Sequence, residues 1–148
     1  MDVPGDTALR TPLGLRQRVA SVTCGCALAA GAALVAFNDP SAPGSLFPGC
    51  AFRQVTGLWC PGCGLTRGTH YLLTGDPVAA LGSNVFTPFV LGVIVLVWVV
   101  WTAKSFGRSI SDPIAKLPNW TTPVLLVVVV AYGVARNMPV ASLRALAP

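Results

Sequence analysis

The chain has 148 residues, of which only 10% are charged, and its mean hydropathy is +0.68. That length allows one domain, and an ordinary soluble domain carries about 25% charged residues. Because so few charges cannot cover the surface of a soluble globule, the composition predicts an integral membrane protein. The net charge of +5 is spread thinly, without the basic cluster that binds phosphates, so we do not expect nucleic acid as a partner.

Three apolar segments predict an all-α fold with three transmembrane helices. The segments cover residues 19–37, 85–103 and 120–135. A helix that crosses the hydrocarbon core of a bilayer needs roughly 20 residues, with about 17 as the lower limit. The second segment meets this requirement, and the third meets it only with its flanking residues.

The first apolar segment could be a cleaved signal peptide instead of a transmembrane helix, because Arg10, Arg16 and Arg18 precede it and small residues follow. The run is longer than a usual signal core and lacks a clean A-x-A site, so we expect a retained helix. The predicted organisation is a tail over residues 1–18, a membrane domain over 19–139 with a cysteine loop over 38–84, and a tail over 140–148.

The distribution of Lys and Arg predicts a cytoplasmic N-terminus in the cell membrane. Six of these residues fall on the membrane face that also holds the N-terminus: Arg10, Arg16, Arg18, Lys104, Arg108 and Lys116. Four fall on the other side: Arg53, Arg67, Arg136 and Arg144. The cysteine loop and the C-terminus are then expected outside the cytoplasm. In either orientation two helices separate the loop from Arg136 and Asn137, which are therefore predicted to reach it.

The loop contains the sequence WCPGCGLTR over residues 59–67. A helical pattern, LTRGTHYLLTGD, continues from it, and Gly75, Asp76 and Pro77 are typical of a helix end followed by a new start. The next stretch, PVAALGSN, is a second short helical pattern. Because the loop is too apolar to stand in water, we expect two short helices at the membrane interface.

The residues of this loop resemble a known family. From Cys50 to Arg67 the pattern is C-x-F-x-x-x-T-G-L-x-C-P-G-C-G-L-T-R, followed by GD at 75–76, A-L-x-x-N at 80–84 and Y-G-V-x-R-N-x-P at 132–139. This is similar to the bacterial domain-of-unknown-function family DUF2752. The family often has a proline directly after the asparagine that matches Asn84, whereas here Val85 follows. The resemblance implies a small integral membrane protein and brings no established activity.

Metal binding is one hypothesis for the cysteines. In a Cys-Pro-x-Cys-Gly turn, two thiolates three residues apart can converge on one ion, because Pro sets the entry and Gly turns without a Cβ clash. Cys50 and His70 could join Cys60 and Cys63 in a Cys₃His set for zinc or iron. The spacings of this set match no common zinc pattern.

Two further hypotheses concern the same cysteines. A C-x-x-C pair at a helix N-terminus gains thiolate stabilisation, and Arg67 would add to it, which favours thiol–disulfide exchange. The alternative is a structural disulfide or a thiol-lined turn, most simply Cys50 with Cys60 or Cys63, and the sequence favours this structural role. Cys24 and Cys26, inside the first apolar run, are assigned to packing.

A polar network is predicted beside the cysteines, because a charge at a bilayer is costly and normally paired. Its members share the loop face: Arg67, Asp76, Asn84, Arg136 and Asn137. The alternative is that Arg67 and Arg136 contact lipid headgroups separately.

The sequence as a whole favours a non-enzymatic accessory or scaffold protein, which lies in the lipid bilayer and docks on a larger membrane protein complex. The small size and the lack of an acid–base pair favour this function over an enzyme. The alternative function is a metal or redox site at Cys60 and Cys63. A channel or transporter is disfavoured because the spans hold no ionisable residue that would mark an ion path.

Overall fold

The computed structural model describes residues 13–111, 113–114 and 116–139. All regular secondary structure in this part of the chain is α-helical, as predicted. In chain order the helices are α1 (Leu13–Phe37), α2 (Ala51–Thr56), α3 (Leu65–Leu73), α4 (Pro77–Ser83), α5 (Thr87–Ser105) and α6 (Thr121–Ala135). The predicted C-terminal tail, most of the N-terminal tail, Arg10 and Arg144 lie outside the described residues.

Two helices are long and apolar enough to cross a membrane. The candidate spans are Gly14–Phe37, with a mean hydropathy of 2.0, and Thr87–Ser105, with 1.8. Only 6% and 11% of these windows are buried within the protein, whereas the core helix of a soluble protein would be mostly buried. The third apolar helix, α6, has 15 residues, or about 22 Å of length. Length and composition therefore identify two candidate spans and one shorter apolar helix among the described residues, and these helices fit a membrane location.

The helices α1 and α5 pack side by side in opposite directions. The indole Nε1 of Trp98 donates a hydrogen bond to the Ser21 carbonyl at 3.0 Å, and Arg18 Nε donates to the Ser105 carbonyl at 3.2 Å. Gly25 makes room for the indole, because a Cβ there would lie 2.5 Å from the Trp98 ring. These contacts place the start of α1 beside the end of α5, so the cysteine loop lies at the opposite end of the pair.

The short helices α3 and α4 pack on each other and on α5, and α3 also packs on α1. Asp76 begins α4, where its Oδ1 accepts the Ala79 N–H at 2.9 Å. The two predicted short helices are thus present, but the loop contains a third, α2, which was not predicted. A helix of six residues is too short to show a hydrophobic period.

Gly68 sets the distance between α3 and α5. A Cβ on this buried glycine would overlap the Thr87 hydroxyl and lie 3.0 Å from the Ala80 carbonyl. The side chain of Thr87 is itself completely buried. The close approach of these helices therefore depends on the absence of a side chain at position 68.

We expect Gly68→Ala to lower the melting temperature in detergent, although alanine is the better helix former by about 1 kcal/mol. Gly82→Ala in the neighbouring helix α4 is the matched control, since nothing lies within 4 Å of a Cβ there. That variant should melt at the wild-type temperature or slightly above it. Equal shifts in the two variants, measured by thermal unfolding, would contradict the packing role of Gly68.

The helix α6 is attached at its C-terminal end. No other helix packs extensively along α6 in the described part of the chain. Its contacts there include Gly133, where a Cβ would lie 2.9 Å from the Pro61 ring, and Tyr132, whose ring meets that of Phe86 edge-on at 4.8 Å. The position of α6 therefore depends on the loop that contains the cysteines.

Candidate metal centre

The first cysteine of the loop is positioned by α2. Cys50 is the N-cap of this helix, with an extended backbone, and the helix ends at Gly57, whose φ of 73° lies in the left-handed region. Only glycine adopts this conformation readily. The turn at Gly57 sends the chain back, so that Cys60 returns to Cys50 across the short helix.

The CPGCG turn positions the other two cysteines. The Cys63 N–H donates to the Cys60 carbonyl at 3.1 Å, which closes the turn, and Gly64 follows with a φ of 86° before α3 begins. A side chain at position 64 would strain this backbone. Both thiols therefore lie on the inner side of one tight turn, as the spacing predicted.

The three loop cysteines form one cluster, and all are free thiols. The Sγ atom of Cys60 lies 3.4 Å from that of Cys50 and 3.0 Å from that of Cys63, and all three Sγ atoms lie within 4.8 Å of one another. Sulfur atoms bound to one zinc ion at about 2.3 Å are roughly 3.8 Å apart in a tetrahedral site. The cluster therefore has the donor atoms and the compactness that a thiophilic metal ion requires.

The cysteines differ in acidity. The backbone N–H of Arg53 and the thiols of Cys63 and Cys60 lower the pKa of Cys50 to about 7. Burial, together with the neighbouring Cys60 and Cys50 thiols, raises the pKa of Cys63 to about 12. A metal ion must therefore displace a proton from Cys63, so metal affinity should increase with pH.

We expect Cys50 to react first with iodoacetamide in the metal-free, reduced protein. Because only the thiolate reacts, its rate should rise with pH through a midpoint of about 7, while Cys63 stays unlabelled in the native protein. Mass spectrometry of peptides after timed labelling measures both rates. The control is protein unfolded in dodecyl sulfate, where all cysteines should titrate near pH 8.5. A native Cys50 midpoint at the unfolded value would be the contrary result.

Asn84 and Arg136 hold the backbone of the turn. Asn84 Nδ2 donates to the Pro61 and Cys63 carbonyls at 2.8 and 3.0 Å. Arg136 Nη1 donates to the Cys63 carbonyl at 2.7 Å and to the Cys60 carbonyl at 3.3 Å. Asn84 and Arg136 are only 1% and 3% exposed. Two buried side chains from distant parts of the sequence therefore hold the peptide groups that present the thiols.

Asn137 completes these contacts from the end of α6. Its Oδ1 accepts the Trp59 N–H at 2.8 Å, and its Nδ2 donates to the Trp59 carbonyl at 2.8 Å. These two hydrogen bonds attach the backbone of Trp59, the residue before Cys60, to the C-terminal end of α6. The prediction that Arg136 and Asn137 reach the cysteine loop is confirmed.

The structure separates three predicted site residues from these contacts. Asp76 is an exposed helix cap, and no ion pair joins it to Arg67 in the described residues. His70 lies outside the thiol cluster, with its Nδ1 2.8 Å from the Val35 carbonyl of α1. The sequence had grouped His70 with the three cysteines as a candidate ligand, but in the structure its ring contacts α1 instead.

A surface cleft of about 520 Å³ opens beside the thiols. Cys50 and Cys63 line it together with Arg53, Thr66 and Arg67, and its remaining lining residues are Pro40, Phe47, Pro48, Gly49, Trp59, Gly62 and Gly64. Arg67 thus lies near the cluster, but at the cleft rather than in a network with Asp76. The cleft gives the thiol cluster access to solutes.

The comparisons place this site within a known family. The model of a family described as a protein of unknown function, DUF2752, matches residues 50–98. The predicted resemblance to the DUF2752 family is thus confirmed over these residues. The matched segment begins at the first cysteine of the cluster and includes Asn84, but it does not reach the similar residues 132–139 near the end of the chain. No curated protein matches the chain, and no solved structure does either.

Several residues in and around the DUF2752 segment were not predicted as parts of the site. Arg53 lines the cleft with its guanidinium carbon 3.1 Å from the centre of the Trp59 ring, and the Ser83 carbonyl lies 3.4 Å from Arg136 Nη2. The position of Arg53 three residues after Cys50 could have indicated it, had α2 been predicted. The backbone acceptors have no signature in the sequence.

Proposed function

We propose that this protein is a non-enzymatic membrane protein whose loop binds a thiophilic metal ion, zinc or iron(II), through Cys50, Cys60 and Cys63. The observation that carries this proposal is the cluster of three free thiols within 4.8 Å, formed by residues up to thirteen positions apart. Three thiolates and one divalent ion carry a net charge of −1. Arg136, buried beside the turn with carbonyls rather than carboxylates as its described partners, compensates this charge.

In this proposal the metal holds the loop together. Three ligands from two parts of the loop replace packing that so short a segment cannot supply, as in other small metal-bound structures. The cleft leaves one side of the cluster accessible for a fourth ligand. His70 does not take that position in this structure, because it contributes no ring nitrogen to the group of ligand atoms that lie within 4.8 Å of one another.

We further propose three spans, with the N-terminus in the cytoplasm and the loop outside it. The apolar α6, extended by its flanks, would supply the third span, and the distribution of Lys and Arg supports the orientation. Thiols on that side are prone to oxidation, and metal ligation would keep them reduced. An accessory role on a larger membrane complex fits a small protein with a rigid loop.

Metal content tests the proposal directly. The protein is purified anaerobically in detergent, without a histidine tag, and its metals are measured by elemental mass spectrometry. We expect one zinc or iron ion per chain, and cobalt(II) substitution should produce the strong near-ultraviolet absorption of cobalt–thiolate bonds. Protein without metal, and without thiolate absorption after cobalt addition, would disprove the metal function.

Thiol–disulfide exchange is the second candidate, favoured by the lowered pKa of Cys50 at the cleft. The Cys50 thiolate would attack a substrate disulfide and release one substrate thiol. The Cys60 thiolate would then attack Cys50 Sγ, releasing the second substrate thiol and leaving a Cys50–Cys60 disulfide, which a dithiol reductant would restore. A metal-free protein with a reversible Cys50–Cys60 disulfide would favour this function instead.

A further inference from the structure

The cleft beside the thiols is basic, and its donors are unused. Arg53, Thr66 and Arg67 line it, and none of the lining residues that the structure describes is acidic. The Thr66 hydroxyl and the Arg67 guanidinium have no hydrogen-bond partner among the described residues. The Arg67 side chain is half-buried. A half-buried guanidinium normally pairs with an anion, because desolvation of an unpaired charge is costly. The composition of the cleft therefore indicates a negatively charged ligand.

The geometry of the cleft supports the same ligand class. Arg53 is stacked on the Trp59 ring, which restricts the guanidinium to the cleft. Thr66 and Arg67 belong to the first turn of α3, where the helix dipole adds positive potential. Phe47 and Pro40 provide an apolar wall for the rest of the ligand.

We propose that this cleft binds a phosphate group, between Arg53 and Arg67 and beside Cys50 and Cys63. Arginine side chains bind phosphate oxygens through paired N–H donors. The phosphate belongs either to a soluble phosphate ester or to a lipid headgroup, since the same donors recognise both. This site does not require the metal centre, because its donors are side chains outside the thiol cluster.

The test uses the full chain as purified under anaerobic, reducing conditions. The metal content of the same sample is measured, so that absent phosphate binding is distinguished from a failure of the metal proposal. Glycerol phosphate is titrated into the protein in nonionic detergent at low ionic strength, and calorimetry measures the affinity. We expect saturable binding, and a loss of at least about tenfold in Arg67→Gln, which corresponds to about 1.4 kcal/mol. Arg16→Gln, an exposed arginine near the start of α1, is the control and should bind as the wild type does.

Folding is checked separately, by the melting temperature of each variant, and Arg53→Gln provides a second, independent loss of affinity. Absence of saturable binding in the wild type, or wild-type affinity in both the Arg67→Gln and Arg53→Gln variants, would overturn the proposal.

A second arm identifies the source of the phosphate. The same titration is repeated in nonionic detergent micelles that contain either phosphatidylglycerol or, at the same negative charge, oleate, which has no phosphate. Weaker apparent binding of glycerol phosphate with phosphatidylglycerol than with oleate would show that a lipid phosphate occupies the cleft. Equal binding in both would identify a soluble ester as the ligand.

Discussion

In the Cys60→Ser variant we expect bound metal to fall to background. The Cys60 sulfur is central to the cluster, 3.4 Å from that of Cys50 and 3.0 Å from that of Cys63, and its loss leaves only two of the three thiolate ligands. A serine hydroxyl is a much poorer ligand for zinc than a thiolate. Loss of a residue that merely supports metal ligands lowers affinity about 10–100-fold, so loss of a ligand should lower it by more than that.

The measurement is zinc affinity by competition with a chelator, supported by metal content after desalting. Cys26→Ser is the matched control, because Cys26 lies in α1 outside the cluster. It should retain zinc at the wild-type level. Zinc binding that survives equally in both variants would show that the cluster is not the metal site, and would return the loop to a purely structural role.

The Arg136→Met variant should lose both stability and metal affinity. Methionine removes the charge and the two hydrogen bonds that Arg136 donates to the carbonyls of Cys60 and Cys63. Hydrogen bonds to a charged group contribute about 1.5–3 kcal/mol each, so we expect a loss of about 3 kcal/mol in total. For a chain of this size such a loss lowers the melting temperature by roughly 6–12 °C.

Arg108→Met is the matched control for this experiment, since Arg108 is exposed after the end of α5. It should melt within about 1 °C of the wild type, as is usual for surface substitutions. Zinc affinity should fall about 10–100-fold only in Arg136→Met, because that arginine positions the ligands without touching the metal. Identical melting and identical affinity in the two variants would show that Arg136 does not support the site.

The cysteine motif illustrates how much of the site the sequence could predict. The CPGCG spacing is local, and a tight turn with two thiols follows from the conformations that Pro and Gly allow. The sequence could only list Cys50 as one of several possible partners of Cys60 and Cys63. Its approach to Cys60 depends on α2 and on the turn at Gly57. His70 was included in the same set as a possible fourth ligand, but in the structure it lies outside the thiol cluster and contacts Val35 of α1.

For the polar residues too, the sequence predicted the side of the protein on which they lie but not their partners. Hydropathy alone predicted Arg136 and Asn137 on the side of the loop, because two predicted spans would return the chain to the face that it left. Their actual partners are backbone carbonyls and an N–H of residues 59–63, together with the carbonyls of Ser83 and Gly133. Peptide groups are the same in every residue, so no sequence pattern could have identified them.

By itself, then, the sequence determined the apolar helices, the all-α class, the turn with Cys60 and Cys63, and the side of the bundle on which they lie. These features follow from local composition and from the length of the apolar runs. The tertiary structure alone decided the third thiol, the exclusion of His70, and the attachment of α6 through Arg136 and Asn137. Each of these depends on contacts between residues distant in sequence, and such contacts form only when the helices pack.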